Sequence, residues 1–384
     1  MESRFAAKAF AFLLFPLIAL PFVRFGDTGN SATSRAGAIA EVRHMQTARA
    51  SHSSTLLPNG KVLIAGGFGG SGTESNPYRS TEIYDPRTGS FQPAGDMAIG
   101  RSGHTATLLK SGKVLIAGGW TGRYNVRRSA ELYDPATGVF KPTGDMVIER
   151  AGNTAALLPD GKVLVAGGED RSENALASAE VYDPATGKFT RTGDMAEPRG
   201  EATAAALRDG KVLIVGGGSG HYPSQSVYRS AELYDPATGK FTSTGQMSVG
   251  RHKHAAVLLA SGKVLVVGGS DNRDWHGEYS SAEIYDPASG AFSATGAMST
   301  SRFKLPYAAV LLDNGTVLVA GGGSFAEVYD ETKGNFSKVE GTLGSPRFFA
   351  SATVLPDGKT LITGGYAETG GSLPSTAGAW IYKP

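Results

Sequence analysis

The sequence predicts an all-β chain folded as a seven-bladed β-propeller, and three observations carry the prediction. A buried-strand phrase ending in two glycines recurs seven times: Lys61–Gly67 (KVLIAGG), Lys113–Gly119, Lys162–Gly168, Lys211–Gly217, Lys263–Gly269, Thr316–Gly322 and Lys359–Gly365. The first glycines stand at 66, 118, 167, 216, 268, 321 and 364, a near-regular period that marks an array of one supersecondary unit. Each unit holds four short strand signals separated by Gly and Pro turns, which is how a propeller blade reads.

Taken in order, the chain begins with Arg4 and Lys8 ahead of an apolar run, Ala9–Val23. The run suits the apolar core of an export signal and is short for a membrane span. Two readings stand, a signal peptide or an N-terminal anchor over residues 1–23, and both place the body outside the cytoplasm: secreted, periplasmic or at the cell surface. Ala36-Gly37-Ala38 has the small-x-small pattern of a cleavage site. Residues 24–38 read as a polar linker and 39–384 as the propeller.

The second unit shows the strand plan. Arg101–Leu109 is expected as strand a, Ser111-Gly112 as a tight turn and Val114–Ala117 as strand b. Ala130–Tyr133 is strand c, Asp134–Gly138 a Pro- and Gly-containing turn, and strand d runs from Phe140 towards Met146. The double glycine, Glu131–Gly138 (ELYDPATG) with its counterparts from Glu82, Glu180 and Glu232, and the Gly-x-Met-x-x-x-Arg that follows resemble the Kelch-repeat family. The resemblance covers residues 39–384 and implies four antiparallel strands per blade. Phe91, Phe140, Phe189, Phe241, Phe292 and Phe336 stand where many Kelch units carry Trp.

The last unit ends at Trp380–Pro384, a strand c with no strand d after it. In units one to five an aromatic sits six residues before a methionine, and six before Met45 is Ile39. The N-terminal segment therefore has strand d register and is expected to close blade seven, leaving no edge unpaired.

Composition limits the chemistry. The chain has no cysteine, which excludes disulfides, thiolate catalysis and cysteine zinc sites. A net charge of +2, from 37 basic and 35 acidic residues, gives no electrostatic case for nucleic acid. No phosphate loop or nucleophile elbow is present. Ser270–Asp274 with Glu278 has loose calcium-ligand spacing without the full pattern. No metal and no cofactor is expected, and the chain reads as a monomer with membrane contact only through an N-terminal anchor.

The a–b and c–d turns are nearly uniform, whereas the b–c loops all differ, so the face carrying b–c and d–a loops is the expected binding face. Seven arginines open strand a: Arg49, Arg101, Arg150, Arg199, Arg251, Arg302 and Arg347. A residue present in every blade serves the blade, and ion pairs with the strand c glutamates Glu82, Glu131, Glu180, Glu232, Glu283 and Glu327 are expected. Trp380 stands at the glutamate position of blade seven, which leaves Arg347 free. His52, His104 and His254 share one repeat position and read as structural.

Residues that break the repeat are the candidate site. After the arginine most blades carry small residues, but blades four to seven carry Glu201, His252 with Lys253, Phe303 with Lys304, and Phe348 with Phe349. These are expected at the mouth of the central channel, where a sugar or carboxylate would suit them. Loop aromatics Phe68, Tyr78, Trp120, Tyr124, Tyr222, Tyr228, Trp275, Tyr279 and Tyr366 add stacking surface. Blade six has only Gly323-Ser324-Phe325 between double glycine and strand c, against Ser270–Ser281 in blade five. A notch walled by Trp275 and Tyr279 is expected there, opening beside Lys253, Phe303 and Lys304.

Two functions follow as expectations: a non-enzymatic propeller binding a glycan or protein, or a sugar mutarotase-like enzyme using Glu201, His252 and Arg251. The chain resembles galactose oxidase in its propeller, but that copper-radical chemistry needs a cysteine crosslinked to tyrosine. The periplasmic sialic acid mutarotases are also exported Kelch propellers, but no motif of theirs is matched residue by residue, and their usual six blades differ from the seven counted here.

Overall fold

The computed structural model describes residues 37–70, 77–122, 125–220, 224–367 and 374–384. The expected targeting segment and the linker up to residue 36 lie outside the described residues. Seven four-stranded antiparallel sheets follow one another, as the repeat requires. In blade two, strand a is Thr105–Leu108, b is Val114–Ala117, c is Ala130–Asp134 and d is Val139–Pro142. Strand a begins later than the sequence suggested in every blade. The arginine and the next three residues precede it in six blades, and in blade six strand a begins only at Ala309; in blade two strand d stops at Pro142 rather than reaching Met146.

Blade seven is closed by the N-terminus. Its strands a, b and c are Ser351–Val354, Thr360–Thr363 and Ala379–Lys383, and its strand d is Ala38–Glu41. The pairing runs Ala38 to Lys383, Ile39 to Tyr382, Ala40 to Ile381 and Glu41 to Trp380. In blade two Tyr133 pairs with Phe140, and blades one and three to six repeat that Tyr–Phe register, with Ile39 taking the phenylalanine place in blade seven. The phenylalanines that replace Trp lean on these tyrosines at ring separations of 4.8 to 4.9 Å.

The core lies between blades, where faces such as Leu115 and Ala117 of blade two meet Val163 and Val165 of blade three. The double glycine is what lets neighbouring blades approach. A Cβ on Gly66 would stand 2.4 Å from the Arg101 carbonyl oxygen, so no side chain fits there. The second glycine uses the space to donate its N–H to the next blade's arginine carbonyl. Gly67 bonds Arg101 at 2.7 Å, and Gly365 bonds Arg49 at 2.9 Å across the closure.

The six expected ion pairs form. Arg49–Glu82, Arg101–Glu131, Arg150–Glu180, Arg199–Glu232, Arg251–Glu283 and Arg302–Glu327 stand at 2.8 to 3.2 Å with their guanidinium groups fully buried. Each guanidinium also donates to backbone oxygens, as Arg150 Nη1 does to Gly167 and Ser178. The same glutamates accept N–H groups from the preceding blade: Glu180 takes those of Val147 and Ile148. Arginine and glutamate thus join two blades, with the buried Nε–H of Arg49, Arg101, Arg150 and Arg251 left without an acceptor.

Candidate functional site

The residue two places after each arginine lies in the left-handed region in all seven blades. Ser51, Gly103, Gly152, Glu201, Lys253, Lys304 and Phe349 have φ between 52° and 59°. Five of the seven carry side chains there, at a cost of about 1 kcal/mol each. The conformation points successive backbones around the propeller axis, so that the N–H of one blade meets the carbonyl of the one before. Gly103 donates to Ser51 (3.2 Å), Gly152 to Gly103 (3.0 Å), Glu201 to Gly152 (3.2 Å) and Lys253 to Glu201 (3.3 Å). Leu305 then donates to Lys253 (3.2 Å), Phe349 to Lys304 (2.7 Å) and Ser51 to Phe349 (3.0 Å), which closes the circle.

This hydrogen-bonded circle frames the mouth of an axial cavity of about 550 Å³. The strand a residues of several blades line its wall, with Thr105, Thr154 and Thr203 among them. The mouth is lopsided. Blades one to three contribute Ser51, Gly103 and Gly152, and blades four to seven contribute Glu201, Lys253, Lys304 and Phe349. Phe68, Trp120 and Tyr366 add aromatic rings to the lining, the Tyr366 ring centre lying 5.7 Å from Lys304 Nζ.

On the charged side four ionisable groups alternate in sign. Glu201 Oε2 stands 3.5 Å from Lys253 Nζ, which donates to Asp274 Oδ1 at 2.9 Å. Asp274 Oδ2 is 3.7 Å from Lys304 Nζ. Burial alone would raise the Glu201 carboxyl, but Lys253 and then His252 hold it down at about 2. Burial lowers the Lys304 amine to about 8, with Asp274 pulling the other way. Glu169, at the start of the blade three loop, is pushed up to about 8 by burial and by the charge of Glu201.

The sequence candidates divide into three groups. Glu201, Lys253 and Lys304, which break the repeat, line the cavity, and so does the loop aromatic Trp120. His252, Phe303 and Phe348 are buried beneath the mouth instead of lining it. The His252 ring places Nδ1 3.1 Å from Glu201 Oε2 and Nε2 3.8 Å from Asp274 Oδ1, aligned for a hydrogen bond with neither. Arg251, Tyr279 and Arg347 lie away from the cavity. Arg251 is enclosed by Glu283, Gly268 and Ser281, so it is unavailable to a substrate. The Tyr279 ring lies 5.2 Å from the Arg251 guanidinium, as Tyr78 and Tyr228 lie near Arg49 and Arg199, and serves the blade. Arg347 has no carboxylate within ion-pair distance among the described residues. It stacks 5.2 Å over Trp380 and donates Nε–H to the Leu343 carbonyl. Tyr124 and Tyr222 fall outside the described residues.

The expected notch over blade six is filled. The short blade six loop would leave Phe303 and Phe348 open to water, and the long blade five loop folds across to cover them. A 3₁₀ turn at Asp274–His276 presents Trp275 edge-on to Phe303 at 4.8 Å and to Phe348 at 4.9 Å. Lys304 Nζ rests 3.8 Å from the centre of the Trp275 ring. Trp275 is therefore a plug, and the way in is the axial mouth.

Sequence reading missed Tyr307 and the role of Asp274. Pro306 and Tyr307 line the cavity, and burial pushes the Tyr307 hydroxyl up to about 12, so it remains a donor. Asp271 is occupied by Arg273 and Asp274 by the lysines, so the calcium-like spacing does not gather oxygens. Among the described residues no three His, Asp or Glu side chains converge as metal ligands. With no cysteine to crosslink to tyrosine, these residues do not fit a copper-radical centre.

Comparison with known proteins agrees with this architecture. The sequence profile of the KLHDC2/KLHL20/DRC7 Kelch-repeats domain matches residues 103–323, and the Kelch motif profile matches residues 49–98. No curated protein matches the chain significantly. Among solved structures, a fungal alcohol oxidase of the AA5 family in complex with copper superposes with a TM-score of 0.70 at 19% identity, over 91% of this chain and 76% of its own. The structure of YjhT superposes with a TM-score of 0.55 at 15% identity, over 65% of this chain and 84% of its own. At such identities the likeness is one of fold.

Proposed function

This chain belongs to the Kelch-repeat family, and from that premise we propose that it is an exported binding propeller that takes a glycan at its axial mouth. One observation carries the reading. Around a circle of identical backbone, blades one to three offer small residues, while blades four to seven offer a carboxylate, two amines and an aromatic ring. Glycine would hold the positive φ without strain, and the side chains placed there instead supply the ion pairs of Glu201, Lys253 and Lys304 and the Phe349 contact with Tyr366. A cavity of about 550 Å³ whose walls mix threonine hydroxyls with alanines and aromatic rings is the size of a small-molecule site and has the polar groups a sugar needs. A pyranose has hydroxyls for Glu201 and the lysines and a C–H face for Phe349, Trp120 and Tyr366.

The test is a glycan array probed with the full chain, followed by calorimetry on the hits. Glu201→Gln and Phe349→Ala should each weaken binding at least tenfold. Binding that survives both changes would move the ligand off the axial mouth. Capture of a protein alone, with no glycan, would favour a partner on the outer b–c loops.

A second reading, acid–base catalysis on a sugar, is favoured by the Glu201–His252 approach and by the raised Glu169 carboxyl beside the same mouth. Faster equilibration of sugar anomers by the wild-type chain, lost in Glu201→Gln, would establish it. An unchanged rate would leave the binding reading.

A further inference from the structure

We infer that the axial mouth is selective for uncharged sugars, taking neutral pyranoses in preference to the corresponding uronic acids. This rests on the glycan reading above and specifies the ligand class within it.

The charges of the mouth are already matched. Glu201 and Asp274 supply two negative charges, and Lys253 and Lys304 two positive ones, with every cation within 4 Å of an acid. Lys253 is held between both carboxylates, and Lys304 is 7% exposed, enclosed by Asp274 and the Trp275 ring. Among the described residues no other cation lines the cavity. Six blade arginines are fully buried on their glutamates, and Arg347 does not line the cavity. A ligand carboxylate would have to shed its water and then displace Glu201 or Asp274 from a lysine. Either way one buried negative charge is left without a partner, which is the costly arrangement.

A neutral sugar meets no such conflict. Each charged group keeps its ion partner and still has hydrogen-bonding capacity for a hydroxyl, and bonds of this kind are among the stronger ones. The hydroxyl of Tyr307, in the cavity wall, adds an uncharged donor.

The experiment compares matched pairs that differ by one carboxylate. Glucose, galactose and mannose are titrated into the full chain beside glucuronate, galacturonate and mannuronate, at neutral pH and fixed ionic strength. At least one neutral hexose should bind ten or more times more tightly than its uronate. Glu201→Gln removes one negative charge, so it should weaken the neutral sugar and narrow or invert that ratio. Asp274→Asn is the second variant with the same expected direction, should the first fail to fold. A wild-type preference for the uronates would overturn the inference while leaving the glycan reading in place. A ratio unmoved by either folded variant would also overturn it. If neither member of any pair binds, the glycan reading itself is lost.

Discussion

Ile39 lies directly opposite Tyr382 across the outermost strand pair of blade seven, the place that phenylalanine takes opposite tyrosine in the other six blades. The two residues stand 343 positions apart in the sequence, and their pairing closes the circle. Around it, Ile39 N–H donates to the Glu340 carbonyl of blade six, so the N-terminal strand touches two blades. Ile39 packs with Val328, Val339 and Trp380 in one buried cluster. An edge strand left without it would expose an open ladder of backbone groups.

Truncation through residue 46 should therefore lower the melting temperature sharply or cause aggregation, and Ile39→Ala should cost about 2–4 kcal/mol. Thermal melts and size-exclusion chromatography check both. A truncated chain that stays monomeric with an unchanged melting temperature would contradict the closure.

Arginines of the repeat should not be equivalent. Arg150→Ala strands Glu180 in a fully buried setting, for an expected loss of about 3–5 kcal/mol. Arg347→Ala removes a partly exposed guanidinium stacked on Trp380, for about 1 kcal/mol. Denaturant titrations of the two variants measure the difference. Equal losses at both positions would refute the pairing account.

Much of this architecture is legible in the sequence because a repeat states each rule seven times. The double glycine, the arginine–glutamate pairing and the register of Ile39 all follow from comparing one blade with the next. That Glu201, Lys253, Lys304 and Phe349 gather at the cavity mouth follows too, since they occupy a place where other blades have serine or glycine. The notch failed because loop length tells how much chain is available and not where it folds. Nothing in Ser270–Ser281 announces that Trp275 will cross blade six to reach Phe348. Tyr307 did leave a signal: Arg302 bonds a carbonyl 19 residues on, at Gly321, where Arg101 bonds one 17 on, at Gly118. Those two extra residues put Pro306 and Tyr307 into the cavity wall.

Three histidines should make the propeller acid-sensitive. His52, His104 and His254 are buried and share hydrogen bonds with hydroxyls: Ser351 and Thr363 for His52, Ser53 for His104 and Thr203 for His254. Burial first, and then the adjacent arginine, lowers each to about 3 from an ordinary 6.5. The folded pKa lies below the unfolded one, so the stabilisation is complete above about pH 6.5 and is lost as pH falls towards 3. Within that window each histidine contributes a slope of about 1.4 kcal/mol per pH unit. Stability measured by urea titration should fall steeply below pH 6. His104→Asn, which copies Asn153 of blade three, should make that fall less steep. A slope unchanged by the substitution would show that other groups govern acid unfolding.

The last prediction separates backbone from side chain at the mouth. Glu201 has φ of 54°, and the equivalent positions of blades two and three are Gly103 and Gly152. Glu201→Gly therefore keeps the hydrogen-bonded circle and relieves its strain while deleting the carboxylate. Glu201→Ala deletes the same carboxylate and keeps the strain. The glycine variant should be the more stable of the two by about 1 kcal/mol, and both should lose sugar binding to the same degree, since neither offers Lys253 its second partner. Melting curves give the first comparison and calorimetry the second. A glycine variant that unfolds where the alanine variant folds would show that the left-handed turn is not what sets the mouth. One that binds as tightly as wild type would remove Glu201 from the site.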